Sequence, residues 1–169
     1  TPALEASRAA CHKQKTDGEK ARDLPPSPHI RLDIEGPIAR LLLDRAARRN
    51  ALDQAMWETI PARIAEAMAN KAVRALILTS AAPGIFCAGA DIAEFARESG
   101  DAKWRARNQA AIRATQLSIA RVEKPVIAAI DGDCVGGGCG LALAADIRIS
   151  APGARLGITP AKLGLVYPL

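Results

Sequence analysis

Two glycine-rich loops constrain this chain more than any other feature. They span residues 86–92 (FCAGADI) and 131–140 (DGDCVGGGCG), and each follows an apolar strand-like run and leads into a helix-like run. Loops built from Gly, Ala and Cys let the backbone approach a ligand closely, because no large side chain stands in the way. Two such loops favour a site in which backbone N–H groups face one developing anion.

The hydrophobic pattern predicts alternating strands and helices. The predicted strands are 29–34, 38–43, 73–79, 125–130 and 147–150, the last three as buried strands, and a turn at 35–37 makes the first two a hairpin. The predicted helices are 53–70, with Asp53 as N-cap, 102–122 with an exposed charged face, and 138–145. We expect Pro61 to kink or restart the first helix. Alternation of this kind indicates an α/β fold with βαβ units.

Length and composition are sufficient for one sizeable core. The chain has 169 residues, of which 49% are hydrophobic and 24% charged. Residues 1–28 mix charges with a proline-rich stretch and show no sustained periodicity, so we expect a flexible N-terminal leader there. Residues 29–169 are expected to form the folded core.

Other glycine-rich binding and catalytic motifs are excluded because the residues that they require are absent. A dinucleotide-binding GxGxxG motif would need glycine at 141 or 143, where the chain has Leu141 and Leu143. A phosphate-binding P-loop would need Lys-Ser or Lys-Thr after its last glycine, but Gly140 is followed by leucine. No GxSxG motif is present, and His12 and His29 both lie near the N-terminus, which argues against a Ser-His-Asp hydrolase.

Charge, apolar run length and cysteine spacing limit the classes of partner that this chain is expected to bind. The net charge is +5, but only 3% of the residues are aromatic, so base stacking on nucleic acid is not expected, and an acidic small molecule fits better. No apolar run approaches the roughly 18 residues of a membrane helix, so we expect a cytoplasmic protein with no membrane partner. The cysteines show no CxxC pair or metal-ligand spacing and are expected to be reduced thiols without a metal; they are Cys11, Cys87, Cys134 and Cys139.

Several segments occur in an order that resembles the crotonase family, also called the enoyl-CoA hydratase/isomerase superfamily, over residues 30–169. They are Arg49-Asn50-Ala51-Leu52, 75–79, the first loop, 124–130, the second loop and Ala145-Asp146-Ile147-Arg148. The resemblance implies the crotonase-type ββα spiral fold and an acyl-CoA substrate, with coenzyme A as part of the substrate and no permanently bound cofactor. It also implies that the family's C-terminal helical part is missing from this chain and that the full-length protein is a homo-trimer or hexamer.

The resemblance assigns roles to residues of both loops. The backbone N–H groups of Ala90 and Gly137 are expected to form an oxyanion hole around the thioester carbonyl. Asp91 is expected to cap the helix after the first loop rather than to titrate in catalysis. The positions expected to contact coenzyme A are Arg49, Ala51, Ala88, Ala90, Asp91 and Ile92.

The chain departs from the family's hydratases at two positions. Those enzymes carry glutamates where this chain has Gly140 and Ala161. Neither residue can move a proton, so ordinary hydration is expected to be very slow unless other groups take over. Residues 157–167 instead resemble a stretch of the family's methylmalonyl-CoA decarboxylases, in which a tyrosine lies near the substrate carboxylate. Tyr167 fits that spacing, and its alternative role is a half-buried packing residue.

Three functions therefore stay open at this point. The first is a decarboxylase-like enzyme that stabilises a thioester enolate. The second is a hydratase or isomerase that uses nonstandard acid/base groups. The third is a catalytically silent protein that binds acyl-CoA. Turnover of any acyl-CoA would separate the enzymes from the silent protein, and product identity would separate the two enzymes.

Overall fold

The computed structural model describes residues 26–158. The strands in this part are β1 (Ile30–Glu35), β2 (Ile38–Leu43), β3 (Ala75–Ser80), β4 (Ile85–Cys87), β5 (Val126–Ile130), β6 (Asp133–Val135), β7 (Ile147–Ser150) and β8 (Leu156–Gly157). The helices are α1 (Gln54–Ala69), α2 (Ile92–Glu98), α3 (Ala102–Ala120) and α4 (Gly137–Ala144), and a short 3-10 helix spans Ala46–Arg48. The leader predicted over 1–28 lies almost wholly outside the described residues, as do Ala161 and Tyr167.

The strands form two sheets. The larger sheet has the order β1-β2-β3-β5-β7, in which β1 and β2 are antiparallel and all other neighbours are parallel. The smaller sheet has the order β4-β6-β8 and is parallel throughout. Parallel neighbours that are separated in sequence by helices confirm the predicted α/β class.

The turn after α1 explains why β3 begins later than predicted. The Val73 N–H donates to the carbonyl of Asn70 and so closes the turn that ends α1. The N–H groups of Arg74 and Ala75 both donate to the carbonyl of Pro37, in the turn between β1 and β2. Val73 is fully buried but belongs to this turn, because its N–H is committed before the strand begins.

Helix α1 supplies much of the core. Its N-cap is Asp53, whose carboxylate accepts the N–H of Met56, as the sequence predicts. The spacing of apolar residues predicted one buried face, and Met56, Ile60 and Ile64 are indeed buried, while Met68 is partly buried. This face packs against the larger sheet and against α3.

Pro61 does not restart α1, which runs without interruption through it; the kink that was the other expected effect stays a prediction. A proline has no N–H, so the carbonyl of Trp57, four residues earlier, loses its usual partner within the helix. The hydroxyl of Thr115 on α3 donates to that carbonyl over 2.6 Å, and the Thr115 side chain is fully buried. A hydrogen bond between two helices thus replaces the missing bond inside one of them.

Helix α3 has the charged outer face that the sequence predicts. Its buried residues, Ala111, Thr115 and Ile119, are spaced four apart and face the core. The predicted solvent-facing cations are exposed; they are Lys103, Arg105, Arg107 and Arg113.

Strand β7 forms at the predicted residues, but the prediction that it is buried is wrong. Ile147 is 49% exposed and Ile149 is 60% exposed. The strand lies at the edge of the larger sheet and pairs with β5 alone among the described strands. Its apolar sequence indicated burial, but burial depends on what covers the strand, and no described element covers this edge.

In the described part of the chain, no helix combines the length and apolarity that a membrane span requires.

The bond between Thr115 and the Trp57 carbonyl can be tested by a double-mutant cycle. Thr115→Val should lower the free energy of unfolding by about 1–3 kcal/mol, since it leaves a buried carbonyl without a partner. In a Pro61→Ala background the helix regains an N–H for that carbonyl, so Thr115→Val should cost clearly less. Urea unfolding of the four proteins measures both values. Equal costs in the two backgrounds would contradict this account.

Candidate active site

The two glycine-rich loops meet at the carboxyl ends of strands β4 and β6 in the smaller sheet. β4 and β6 are parallel neighbours, so the loops that follow them leave the sheet at the same end. A Cβ atom at Gly89 would lie 3.0 Å from the Val135 carbonyl oxygen and 3.3 Å from the Gly137 nitrogen. Gly89 also has a φ of +99°, a conformation that L side chains rarely adopt. The loops therefore touch backbone to backbone, and glycine at 89 permits the contact.

The backbone N–H of Ala90 is kept free by the way its neighbours pair. Leu52 forms a parallel bridge with Ala90, in which the Leu52 N–H donates to Gly89 and the Leu52 carbonyl accepts from Asp91. In a parallel bridge, the bridged residue's own N–H points to the opposite side. Ala90 is exposed, and its N–H donates no hydrogen bond to another described residue.

The second free N–H belongs to Gly137, the first residue of α4. The first N–H groups of a helix have no partner within the helix, and the positive end of the helix dipole favours negative charge beside them. A Cβ at Gly137 would lie 3.6 Å from the Ala90 nitrogen. Within residues 26–158, the Gly137 N–H donates to no other residue. The two predicted donors are therefore brought together, and both are free to bind an anionic atom.

Close packing beneath α4 holds this arrangement in place. A Cβ at Gly137 would lie 3.0 Å from Cζ2 of Trp57, whose side chain is buried. A Cβ at Gly138 would lie 2.7 Å from both the Cβ and the carbonyl oxygen of Cys87. The helix therefore rests directly on β4 and on the indole ring. The glycines at 137 and 138 provide close approach as well as an open backbone.

The thiols of Cys87 and Cys134 are not activated nucleophiles. Burial is the main cause that raises the pKa of Cys87 to about 12, and its thiol points at the Asn50 carbonyl oxygen 3.1 Å away. Burial likewise raises the pKa of Cys134, whose sulfur lies 3.8 Å from that of Cys139. These three cysteines are free and buried, which confirms the prediction of reduced thiols for them. Cys11 lies outside the described residues.

A turn over residues 49–51 borders the first loop. Arg49 and Asn50 both have positive φ, 53° and 52°. The buried Asn50 amide donates to the Phe86 carbonyl and to the Ser80 hydroxyl, and its oxygen accepts the Arg45 N–H. The Arg49 carbonyl in turn accepts the N–H of Ala88. This structural role of Asn50 was not predicted from the sequence. Its one sequence signal is an amide side chain placed between the basic residues of 45–49 and the apolar residues Ala51 and Leu52.

The turn places Arg49 beside an acidic side chain of the second loop. Its guanidinium lies 2.5 Å from the Asp133 carboxylate, which also binds Arg155 at 2.6 and 2.7 Å. The hydrogen bond from Arg155 is the main cause that lowers the pKa of Asp133, and the charge of Arg49 adds to it. The Arg49 side chain is nevertheless 63% exposed, so its outer face is open to solvent.

Asp91 acts as a helix cap, as the sequence predicts. Its carboxylate accepts the N–H groups of Ala93 and Glu94 at the start of α2 and receives a bond of 2.8 Å from Arg45. Burial pushes the pKa of Asp91 upward, but the N–H of Glu94 and the guanidinium of Arg45 outweigh it and lower the pKa. Ile92, the next residue, is 52% exposed beside the loop.

Other predicted positions lie in or beside the first loop. Ala88 and Asp91 are part of that loop, Arg49 and Ala51 lie in the neighbouring turn, and Ala51 and Ala88 are partly buried. Tyr167 lies outside the described residues, so its predicted place beside the substrate stays a prediction. No group of three or more His, Cys, Asp or Glu in residues 26–158 is arranged to hold a metal ion.

The ion pair of Asp91 predicts a defined pH dependence. Asp91→Asn keeps a capping side chain but removes the charge that Arg45 binds. Because folding lowers the pKa of Asp91, its stabilisation is present above the ordinary value of 3.8 and is lost as the pH falls through the lower folded value. Wild type should therefore be more stable than the variant at neutral pH, and the difference should shrink in acid. Urea unfolding across this pH range measures it; a gap that widens in acid would contradict the assignment.

The tight contact of α4 with β4 gives a second prediction. Gly138→Ala should destabilise the fold by about 1–3 kcal/mol, because the new methyl group meets the Cβ and the carbonyl oxygen of Cys87 in a buried strand. Gly100→Ala is the matched control, since a Cβ there meets no atom within 4 Å. Thermal unfolding compares the two. If the two variants had the same melting temperature, the proposed close packing at Gly138 would be wrong.

Comparisons with known proteins agree with this geometry. The sequence model of the enoyl-CoA hydratase/isomerase family matches residues 33–169. The human mitochondrial methylglutaconyl-CoA hydratase is 39% identical over 138 residues, which are 82% of this chain and 40% of that protein. The short-chain-enoyl-CoA hydratase of Clostridium acetobutylicum is 34% identical over 139 residues, 81% of this chain and 52% of that protein.

A solved structure shows the same fold. An enoyl-CoA hydratase/isomerase family protein from Hyphomonas neptunium superposes with a TM-score of 0.80 at 47% identity, over 83% of this chain and 53% of that chain. The chain thus spans about half the length of these relatives. Its fold, its two glycine-rich loops and the match to the family's sequence model together show that this chain belongs to the enoyl-CoA hydratase/isomerase (crotonase) family.

Proposed function

We propose that the N–H groups of Ala90 and Gly137 bind the thioester oxygen of an acyl-CoA and stabilise the enolate that forms from it. The observation that carries this proposal is the pair of adjacent N–H groups that donate to no other described residue. Both are backbone donors held by packing, so they need not reorganise as charge develops.

The energetic effect of such a site is large. Removal of one donor from an oxyanion hole typically slows a reaction by about 100- to 1000-fold, or roughly 3–4 kcal/mol. The start of α4 adds a smaller contribution of about 0.3–1 kcal/mol from the helix dipole. Both effects act on negative charge and so favour the enolate over the neutral thioester.

Coenzyme A would lie along the turn and the first loop. Arg49 is the cation that we assign to a phosphate group, because its side chain is largely exposed although it also contacts Asp133. Arg45 is not available for this role, since it is mostly buried and binds Asp91 and the Ala51 carbonyl. The remaining contacts are assigned to the backbone and small side chains of Ala51, Ala88, Ala90, Asp91 and Ile92.

Decarboxylation of a malonyl-type thioester is the reaction that this set of residues supports best. The bond between the α-carbon and the carboxylate carbon breaks, its electron pair moves into the enolate held by the two N–H groups, and carbon dioxide leaves. A proton from Tyr167 or water then reaches the α-carbon, and a donating Tyr167 is reprotonated by water. This reaction needs no strong base. The absence of a carboxylate at Gly140 also avoids repulsion of an anionic substrate.

Hydration is the second candidate, and the relatives favour it. Two proteins that are 39% and 34% identical to this chain are named methylglutaconyl-CoA hydratase and short-chain-enoyl-CoA hydratase. Hydration needs a group that transfers a proton. The nearby carboxylates are already committed: Asp91 caps α2, and Glu94 accepts the N–H of Gln54. A hydratase would therefore use either Glu94, whose pKa is raised by burial, or groups outside residues 26–158.

The oxyanion hole can be tested at Gly137 with two variants. Gly137→Pro removes the N–H at a helix position where proline is well tolerated, and Gly137→Ala adds a similar Cβ but keeps the N–H. Turnover of whichever acyl-CoA the wild type converts should fall about 100-fold or more in the proline variant relative to the alanine variant. Equal kcat values for the two variants, at equal thermal stability, would overturn the assignment of Gly137.

Mass spectrometry of products distinguishes the reactions. The full-length protein is incubated with crotonyl-CoA, malonyl-CoA and methylmalonyl-CoA. Loss of carbon dioxide from a malonyl-type substrate, slower in Tyr167→Phe, would support decarboxylation. Addition of water to crotonyl-CoA, unaffected by that variant, would replace decarboxylation by hydration. Binding of acyl-CoA with no turnover of any substrate would contradict both and leave a silent acyl-CoA-binding protein.

A further inference from the structure

The space beside Gly140 is filled by a side chain from another helix. Gly140 lies three residues after Gly137 in α4, so the two positions share one face of the helix, about 4.5 Å apart along its axis. A Cβ atom at Gly140 would lie 2.7 Å from Nε2 of Gln116. The carboxamide of Gln116 therefore occupies the place into which a side chain at 140 would project.

The position of Gln116 is fixed by its neighbours on α3. Thr115 is fully buried and donates to the Trp57 carbonyl, and Ile119, one turn further on, is also buried. The indole ring of Trp57 in turn contacts the position of Gly137. Helices α1, α3 and α4 thus converge here, and the Gln116 carboxamide lies beside Gly140, one turn of α4 from Gly137.

Two polar side chains at this convergence have no partner in the described part of the chain. The Gln116 carboxamide is half-buried and forms no hydrogen bond to another described residue. Nε1 of Trp57 is buried and also lacks a partner there. An unpaired buried donor is costly, and native proteins usually satisfy such groups. The Gln116 carboxamide lies beside Gly140 with its N–H groups unused by the described residues, so it can donate to a ligand that presents acceptor oxygens.

We propose that Gln116 binds the carboxylate of a malonyl-type acyl-CoA and orients it for loss of carbon dioxide. This inference rests on the proposed function, because the thioester oxygen must first be placed at Ala90 and Gly137. The Gln116 amide donates an N–H to the carboxylate. It is neutral and gives up no proton, so it holds an anion without the repulsion that a glutamate would cause. Gln116 is thus a specificity-determining contact for the acyl group.

Equilibrium binding tests this without turnover. The two probes are butyryl-CoA, which has an uncharged chain, and sulfoacetyl-CoA, whose sulfonate replaces the carboxylate and does not leave. Isothermal titration of the full-length protein should show about tenfold weaker binding of sulfoacetyl-CoA to Gln116→Leu, with butyryl-CoA unchanged within about twofold. Gln116→Glu should weaken sulfoacetyl-CoA further, because it adds a like charge.

Two more variants sharpen the test. Gly140→Ala keeps the carboxamide but displaces it, since the new methyl group would meet Nε2, and so it should act in the same direction as Gln116→Leu. Gln109→Leu is the control: the same change on an exposed part of α3, two turns away, should leave both affinities unchanged. Intact butyryl-CoA binding by each variant also shows that it has folded.

The outcomes separate the two levels of the proposal. If Gln116→Leu weakened both probes equally, or neither, the inference about Gln116 would be overturned while the oxyanion hole stood. If wild type bound neither probe, the proposed function would fail, and the inference would fail with it.

Discussion

The contact between the two loop backbones is the constraint on which the site depends. A Cβ at Gly89 would lie 3.0 Å from the Val135 carbonyl oxygen and 3.3 Å from the Gly137 nitrogen, so a side chain there would push the two loops apart. This contact brings the loop after β4 close to the start of α4, where the proposed oxyanion hole lies. Hydrogen bonds to neighbouring residues then leave the Ala90 N–H unused, and the helix geometry does the same for Gly137. The proposed site is therefore formed mainly by backbone groups that packing holds in place, and side chains contribute little to it.

The helices beneath the loops serve the same arrangement. Pro61 removes one hydrogen bond from α1, and Thr115 supplies its replacement from α3. That bond fixes the segment that carries Trp57, whose ring supports Gly137, and it also fixes Gln116 beside Gly140. The hydrogen bond that compensates for Pro61 thus joins α1 to α3, and side chains of both helices contact α4 where the acyl group is proposed to bind.

Most strands, helices and helix caps could be predicted from local sequence patterns. The contacts between segments that are distant in the sequence could not. Alternation and helical spacing identified β1, β2, β3, β5 and β7 and the helices α1, α3 and α4 to within a few residues, and the capping roles of Asp53 and Asp91 followed from their side chains. The exposure of β7 could not be predicted, because it depends on which elements lie alongside. The place of Gln116 likewise requires knowing that α3 crosses α4. The roles of Ala90 and Gly137 came from resemblance, and the structure adds that their N–H groups lie together and unpaired.

Among the described strands, β7 forms an unpaired edge of the larger sheet. Backbone N–H and C=O groups along Ile147–Ser150 that face away from β5 have no strand beside them in residues 26–158, and the isoleucines there are exposed. Such an edge is a template for pairing with another chain. A recombinant fragment cut to residues 26–158 would consequently present this edge to strand addition by a second copy.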